Sequence, residues 1–435
     1  MDTAELLSTT LPAPASTGIP RSAYLHIPFC RRRCYYCDFP VSVVGDRKNG
    51  DTSGTIQHYV GALLLEISIT PAFCQPLETI FFGGGTPSLL SVGQLGRILD
   101  ALHRQFGIAA GAEISIEMDP GTFTLEQLQG YCSAGVSRIS VGVQAFQDEL
   151  LHLCGRSHTV SDIYAAADLL RRAGADNFSL DLISGLPHQT LDQWRASLEA
   201  AVALGPAHIS TYDLIVEPKT PFSRSYQPGV QPLPSDGTAA QMYRLAQQAL
   251  TGAGYDHYEI SNYAKPGYQC RHNRVYWENR PYYGFGMGAT SYVGGHRLTR
   301  PRKTWEYSEW VQSQAERRSP QPPLQRGAVE TAIEDAGTSD SDILLETLML
   351  GLRLAEGVSL PAFAEQFGTG TLQKICQCLQ PYCRQGWVEI VGGDGVPVAV
   401  SDCHQLPAQG WLRLSDPEGF LFSNTILAAL FGKFS

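Results

Sequence analysis

The stretch Ser22-Ala-Tyr-Leu-His-Ile-Pro-Phe-Cys30-Arg-Arg-Arg-Cys34-Tyr-Tyr-Cys37 places three closely spaced cysteines directly after an apolar run. The run Ser22–Ile27 is rich in β-forming residues and predicts a buried strand. Cysteines separated by three and two residues on one loop can turn their thiolates towards a common metal centre. The stretch therefore predicts the first strand of the fold and a metal site at its end.

Five more β-type runs follow, and segments with helical periodicity separate them. The β-type runs are 78–82, 112–117, 138–143, 178–183 and 207–213. The helical segments are 59–69, 92–106, 125–134, 161–173 and 191–203. Repeated β-then-α order predicts parallel strands joined by right-handed crossovers. Because six units are fewer than the eight of a complete barrel, we predict an α/β fold with a partial (β/α)6 barrel.

Polar and glycine residues stand at the ends of nearly all these runs. In chain order they are Gly83-Gly-Gly-Thr-Pro87, Glu117, Asp119, Gln144 and Asp181. Active sites of α/β barrels form at the carboxyl ends of the strands. Each residue alone is equally well explained as part of a turn or cap. Their repetition at successive strand ends favours a ligand site.

Composition and charge exclude several classes of protein. The chain has 435 residues and a net charge of −10, which argues against nucleic acid as the main partner. The basic run Arg31–Arg33 is either a solvated loop or a contributor to metal-site electrostatics or partner docking. No stretch approaches the roughly 18–20 apolar residues of a membrane span. Residues 1–21 lack the pattern of a secretory signal, so we expect a disordered leader and a cytoplasmic protein.

Two interruptions divide the rest of the chain. Glu217–Gly237 is rich in proline, and an aromatic, glycine-rich block that we group with the barrel follows it. The second interruption mixes Pro, Gln, Gly and acidic residues and predicts a linker. Beyond it we expect a helix over 342–355, short helices and a hairpin around 392–395. The predicted divisions are a barrel unit over 22–316, a linker over 317–341, and a small α+β, winged-helix-like domain over 342–435.

The three cysteines leave two interpretations of the metal open. A structural zinc normally takes four protein ligands, and the downstream histidines are distant in sequence. A cubane cluster normally takes four cysteines, so three leave one iron open to another ligand. Most of the other cysteines are scattered singly, and without a secretory signal a disulfide framework is not expected.

The spacing Cys-x3-Cys-x2-Cys, with an aromatic residue before the third cysteine, resembles the signature of the radical S-adenosylmethionine (radical SAM) superfamily. In that superfamily the cysteines hold a 4Fe-4S cluster, and the methionyl group of S-adenosylmethionine chelates the fourth iron. The resemblance implies Cys30, Cys34 and Cys37 as cluster ligands and S-adenosylmethionine as a cofactor.

Nearly the whole chain resembles one branch of that superfamily, the oxygen-independent coproporphyrinogen III dehydrogenase group. The segments that carry the resemblance are Tyr24–Cys30, Phe82–Pro87, Ser115–Pro120, Val141–Phe146, Gly155–His158 and Leu180–Pro187. By position, the resemblance implies contacts to S-adenosylmethionine or the pocket around it from Tyr24, Tyr36, Gly84, Gly85, Thr86, Glu117, Gln144, Arg156 and Asp181.

Two features resemble the HemW-type haem chaperones within this branch. The dehydrogenases carry a fourth cysteine two places after the third, where this sequence has Phe39. The element His272-Asn-Arg-Val-Tyr276-Trp277 is also typical of the chaperones, and it implies haem binding with His272 as a candidate iron ligand. A histidine that only makes hydrogen bonds within the core is the alternative. The run Leu345–Arg353 resembles the closing domain of the group, which implies that this domain covers the barrel mouth.

We therefore expect a protein that binds haem and delivers it to apo-haemoproteins, for example respiratory ones. The first alternative is an enzyme that oxidatively decarboxylates the propionates of coproporphyrinogen III. The second is a structural zinc protein. The sequence leaves open whether the chain has enzymatic activity and whether it is a monomer or a cluster-dependent dimer.

Overall fold

The computed structural model describes residues 18–46, 49–318, 340–398, 406–407 and 409–434. Of the expected leader, residues 1–17 lie outside the described residues, as does 319–339 of the expected linker. The fold below therefore concerns the barrel unit and the C-terminal domain.

Six parallel strands form the centre of a nine-stranded sheet. They are β1 (Ser22–Ile27), β2 (Leu77–Gly84), β3 (Ile108–Met118), β4 (Arg138–Gln144), β5 (Phe178–Ser184) and β6 (His208–Asp213). The strands lie side by side in chain order, and each pairs in parallel with the next. The prediction of a partial (β/α)6 barrel is confirmed.

Helices connect these strands on the outside of the barrel. They are α1 (Gly54–Ile69), α2 (Val92–Phe106), α3 (Leu125–Ser133), α4 (Asp148–Leu153), α5 (Val160–Ala173) and α6 (Leu191–Ala203). Five of them begin after a Ser or Thr whose hydroxyl accepts a hydrogen bond from the backbone N–H three residues later. Such caps satisfy donors that the first turn of a helix leaves open. The caps explain why α2, α3 and α6 start where the sequence predicts, while α1 starts at Gly54, five residues before its predicted start, and α4 was not predicted.

The two faces of the parallel strands differ in chemistry. Leu25, Ile80, Ile116 and Leu180 are fully buried and pack with the outer helices. Successive side chains on a strand point to opposite faces, so the intervening positions face the barrel interior. Many of those are polar or ionisable, and those near the amino ends include Thr79, Glu113, Arg138, Ser179 and His208.

The chain after β6 extends the sheet at both edges. Its elements are α7 (Pro221–Ser225), α8 (Asp236–Gly252), β7 (Asp256–Glu259), β8 (Asn262–Ala264), α9 (Arg271–Trp277), β9 (Tyr283–Phe285), β10 (Thr290–Val293), β11 (His296–Thr299) and α10 (Thr304–Arg318). Strand β9 pairs in parallel with β1, and β8 and β7 add antiparallel strands beyond β6.

Helix α9 packs against the amino-terminal end of the barrel. The buried Glu113 carboxylate accepts hydrogen bonds from the backbone N–H groups of Arg271 (3.1 Å) and His272 (3.0 Å). A carboxylate at a helix N-terminus satisfies open donors and matches the helix dipole. The sequence-predicted motif around His272 therefore forms the floor of the barrel.

The C-terminal domain has its own hydrophobic core. Its elements are α11 (Asp340–Gly351), β12 (Val358–Ser359), α12 (Leu360–Phe367), α13 (Thr369–Arg384), β13 (Val388–Gly392), β14 (Gly410–Leu414), α14 (Glu418–Leu421) and α15 (Ser423–Phe434). Strand β14 lies between β12 and β13, antiparallel to both. Helix, strand, two helices and two strands in this order form a winged helix, as predicted. The expected turn is present, because the Gly392 N–H donates to the Val396 carbonyl (2.9 Å).

The C-terminal domain joins the barrel at the sheet edge formed by β7. The Ile260 N–H donates to the Arg353 carbonyl, and the Ala355 N–H donates to the Tyr258 carbonyl. The Arg353 guanidinium lies 2.6 Å from the fully buried Glu259 carboxylate and 4.4 Å from the centre of the Trp277 ring. None of the described residues of this domain lines the cavity at the barrel mouth, so the expectation that the domain covers that mouth stays a prediction. No helix among the described residues is long and apolar enough to cross a membrane.

Candidate functional site

A cavity of about 500 Å³ lies at the carboxyl ends of the six parallel strands. It brings together all the residues predicted to hold the cluster and S-adenosylmethionine except Tyr24. These are Cys30, Cys34, Cys37, Tyr36, Gly84, Gly85, Thr86, Glu117, Gln144, Arg156 and Asp181. Residues that are spread over more than 150 positions in the sequence thus share one site, as expected for the strand ends of a barrel.

The three cysteines lie on a loop that the backbone holds in place. The Cys37 N–H donates to the Cys34 carbonyl (3.3 Å), and the Tyr35 N–H donates to the Cys154 carbonyl (2.9 Å). Burial raises the pKa of Cys30 to about 12 and also raises the pKa of Cys37. Thiols in such surroundings ionise only when a nearby positive charge compensates for the lost water. A metal centre supplies that charge.

The glycine loop after β2 is pressed against the segment that leads into the cysteines. The Gly85 N–H donates to the Ile27 carbonyl (2.9 Å), and the Thr86 N–H donates to the Phe29 carbonyl (2.7 Å). A Cβ atom on Gly85 would lie 2.7 Å from the Phe29 carbonyl oxygen. Gly84 has φ +114°, which favours glycine. The two glycines therefore allow the loop to pack directly against the segment before Cys30, and both line the cavity.

Glu117 is a partly buried carboxylate beside this loop. Its Oε2 accepts a hydrogen bond from the Gly84 N–H (2.9 Å). Burial, together with the carboxylates of Asp181 and Asp119, raises the pKa of Glu117 to about 8. A cationic group placed in the cavity would favour the ionised form. Glu117 is therefore suited to contact an ammonium or a hydroxyl group of a ligand.

Arg156 connects the cysteine loop to the ends of β3 and β4. Its guanidinium donates to the Asp119 carboxylate, to the Gly142 carbonyl (2.8 Å) and to the Cys34 sulfur (3.5 Å). Asp119 also accepts a hydrogen bond from the Thr86 hydroxyl (2.9 Å). The sequence places Asp119 among the strand-end residues that favour a ligand site but assigns it no contact, and the structure gives it the pairing with Arg156.

Gln144 and Asp181 complete the wall of the cavity. Gln144 has φ +70°, a strained value for a residue other than glycine, and the pairing of β4 with β5 shifts register there. Asp181 accepts a hydrogen bond from the hydroxyl of Ser140 (2.8 Å), a lining residue that no sequence motif indicates. Burial raises the pKa of Asp181.

Tyr24 and His272 lie outside this cavity. Tyr24 lines a neighbouring cavity of about 340 Å³ together with Phe39 and Tyr276. His272 is fully buried, and its ring nitrogens are hydrogen-bonded to the hydroxyls of Thr79 (2.8 Å) and Tyr276 (2.9 Å). Burial lowers the pKa of His272 to about 3. An iron ligand needs an accessible ring nitrogen, and both nitrogens of His272 are occupied in this structure.

The donor set fits a cluster better than a single metal ion. Within the described part of the chain, no three His, Cys, Asp or Glu side chains lie close enough to hold one ion. Structural zinc needs four ligands at about 2.0–2.3 Å. The cysteines of a cubane bind different irons and therefore stand further apart. Three soft thiols beside a bare backbone cradle are thus suited to a cluster with one ligand from outside the protein.

The chain is similar to known proteins over both of its domains. Residues 24–201 match the family model of the radical SAM superfamily, and residues 339–393 match that of the HemN C-terminal domain. The chain is 47% identical over 413 residues to heme chaperone HemW of Synechocystis sp., with 95% of this chain and 97% of the relative covered. Heme chaperone HemW of Bacillus subtilis is 39% identical over 351 residues, with 80% and 87% covered.

A solved structure agrees at the level of the fold. Coproporphyrinogen III oxidase (HemN) from Escherichia coli, a radical SAM enzyme, matches with a TM-score of 0.72 over 94% of this chain and 90% of that chain. Its identity of 23% supports the fold alone. The identities over nearly the full length decide the family. The chain belongs to the HemW family of the radical SAM superfamily.

Proposed function

We propose that this protein binds haem and delivers it to apo-haemoproteins. It carries a 4Fe-4S cluster on Cys30, Cys34 and Cys37, with S-adenosylmethionine on the open iron. The observation that carries the proposal is Phe39, which stands at the cavity wall where the dehydrogenases resembled by the sequence have a cysteine. Relatives named heme chaperone, which match nearly the full length, support the same function.

The chain's own residues suit the two cofactors in different ways. When bound, the cluster and S-adenosylmethionine supply reductive cleavage of a sulfonium. The Gly84–Gly85 backbone lines the cavity where the methionyl group would lie, and Glu117 and Asp181 offer carboxylates to its polar groups. Arg156 holds the cluster loop against β3 and β4 through Asp119 and Gly142. The proposal does not use His272 as an iron ligand.

One anaerobic preparation tests the proposal against its alternatives. We expect a brown, iron-containing protein, and a colourless protein that contains zinc would overturn the cluster. Titration with haemin should give a shifted Soret band, and mixing with apomyoglobin should then give the spectrum of myoglobin. Incubation with coproporphyrinogen III, reductant and S-adenosylmethionine should yield no protoporphyrinogen. Robust turnover in that incubation would make the protein a dehydrogenase instead.

A further inference from the structure

The segment that follows the cluster cysteines is held unusually firmly. Four consecutive backbone carbonyls, those of residues 37–40, accept hydrogen bonds from side chains. The donors are Arg33 to Cys37 and Phe39, Arg302 to Asp38, and His26 to Pro40, at distances of 2.9–3.3 Å. These donors come from the cluster loop, from the segment after β11 and from β1. Side chains from three different segments therefore hold the backbone around Phe39 in place.

The Phe39 side chain is nevertheless 55% exposed, and it lines the cavity. Phenylalanine is among the residues most often buried, and its exposure leaves apolar surface in contact with water. A fixed backbone that presents an exposed aromatic ring towards a cavity loses little entropy when a ligand covers the ring. Phe39 is thus prepared for contact with an apolar ligand.

A second apolar group lies at the other end of the row of parallel strands. Ile215, just after β6, is 68% exposed and lines the same cavity, next to the half-exposed Tyr212. Phe39 follows β1, the first of the six parallel strands, and Ile215 follows the last. The two side chains therefore border the cavity from opposite ends of the parallel strands.

Positive charge lies on the same rim. Arg32 and Arg33 both line the cavity. Arg32 uses its Nε and Nη2 atoms on the exposed carboxylate of Asp46, an exchangeable surface contact. A ligand that matches this rim has a wide apolar body and carries carboxylates at its edge. Haem has both features.

We propose that Phe39 and Ile215 are the apolar contacts between which the haem macrocycle is held, with a carboxylate directed to Arg32. This assignment rests on the proposed haem function and deepens it, because it places the cargo at the mouth of the barrel. The assignment gives Phe39, which stands where the dehydrogenases have a cysteine, a direct contact with haem.

The test is a haemin titration of the full-length, cluster-loaded protein under anaerobic conditions. The variants are Phe39→Ala, Ile215→Ala, the double variant, and Phe39→Trp as a conservative replacement. Phe73→Ala is the matched control, since Phe73 is a similarly exposed phenylalanine (46%) outside the cavity. Iron content and melting temperature are measured for each variant, so that a folding defect is recognised.

We expect each alanine variant to bind haemin about tenfold more weakly, which corresponds to about 1.4 kcal/mol, and Phe39→Trp to retain the affinity. Haemin with esterified carboxylates should bind the wild type more weakly than haemin, and Arg32→Gln should remove most of that difference. A double variant that binds haemin as tightly as Phe73→Ala overturns the assignment while the haem function stands. A wild type without any Soret shift overturns the proposed function and the assignment together.

Discussion

Gly85 offers the sharpest test of how the glycine loop supports the cluster site. The change is Gly85→Ala, which adds one methyl group. That methyl would lie 2.7 Å from the Phe29 carbonyl oxygen, 2.8 Å from the Pro28 carbonyl carbon and 2.9 Å from the Ile27 carbonyl oxygen. All three are backbone atoms directly before Cys30, so no side-chain rotation can relieve the contact.

The cost follows from these distances. Ordinary contact begins at 3.4 Å, so the two loops must separate by about 3.4 − 2.7 = 0.7 Å at the closest point. Such overpacking costs about 1–3 kcal/mol. The two hydrogen bonds from Gly85 and Thr86 to the Ile27 and Phe29 carbonyls weaken as well, for about 1 kcal/mol more. We expect a total of about 2–4 kcal/mol and a displaced Cys30.

The assay compares Gly85→Ala with Gly96→Ala. Gly96 lies in α2, where an added Cβ meets nothing within 4 Å, and alanine there should be neutral or slightly stabilising. Both proteins are reconstituted anaerobically and compared by iron content, visible absorbance and thermal unfolding. Gly85→Ala should lose most of its cluster and melt roughly 3–6 °C lower. The reasoning fails if the two variants retain equal iron and equal melting temperatures.

Three further predictions concern other parts of the molecule. His272 is buried as the neutral form with a pKa of about 3, below the unfolded value near 6.5, so its stabilising contribution is complete above pH 6.5 and is lost as the pH falls. The free energy of unfolding is measured by urea denaturation at pH 7.5 and pH 5.0 for the cluster-free wild type and for His272→Gln. It should fall by about 2 kcal/mol more in the wild type than in the variant, and equal falls would contradict this. Arg156→Lys keeps the positive charge, but a lysine cannot reach the three acceptors of Arg156 at once. The variant should therefore bind less iron, and its free energy of unfolding should fall by about 2–4 kcal/mol. Unchanged iron content and unfolding free energy would show that the guanidinium geometry is unimportant. Arg353→Met leaves the buried Glu259 without its cation and should lower the free energy of unfolding by about 3–5 kcal/mol. Limited proteolysis should then cleave the C-terminal domain faster than in the wild type. Resistance to the protease equal to that of the wild type would refute this prediction.

Regular local patterns explain how much of the fold could be predicted from the sequence. The predicted bounds of α2 and α6 agree with the structure. Each of these helices starts after a hydroxyl residue that caps it, and each carries apolar residues at helical spacing. The strands were recognised from their β-forming residues, and β1 has the predicted bounds. Strands β2 to β5 extend further than predicted, most of all β3, whose amino-terminal part is more exposed, while β6 starts one residue later. Local patterns predict the bounds of a helix or strand well where its burial is uniform along its length, and poorly where one part of it is exposed.

The candidate site was predictable in its members and less so in its contacts. Strand order places the residues after each strand in one cavity, which explains the agreement for Cys30 and Glu117. The pairing of Arg156 with Asp119 joins residues that are 37 positions apart, and no sequence periodicity encodes such a pair. The placement of His272 could not be predicted either. Its motif shows which residues are present, but it does not show that Glu113 binds the N-terminus of α9 and so places His272 at the amino-terminal end of the barrel.

Helix α9 lies at the opposite end of the barrel from the main cavity, and this bears on the order in which two ligands could bind. The residues that line the main cavity come from the carboxyl ends of the strands, while α9 packs against β2 and β3, and its N-terminus donates hydrogen bonds to Glu113. If S-adenosylmethionine lies deeper in this cavity than haem, as the proposed assignment has it, both ligands would use the opening at the carboxyl ends of the strands. S-adenosylmethionine would then have to bind before haem, and it could exchange only after haem has left the rim.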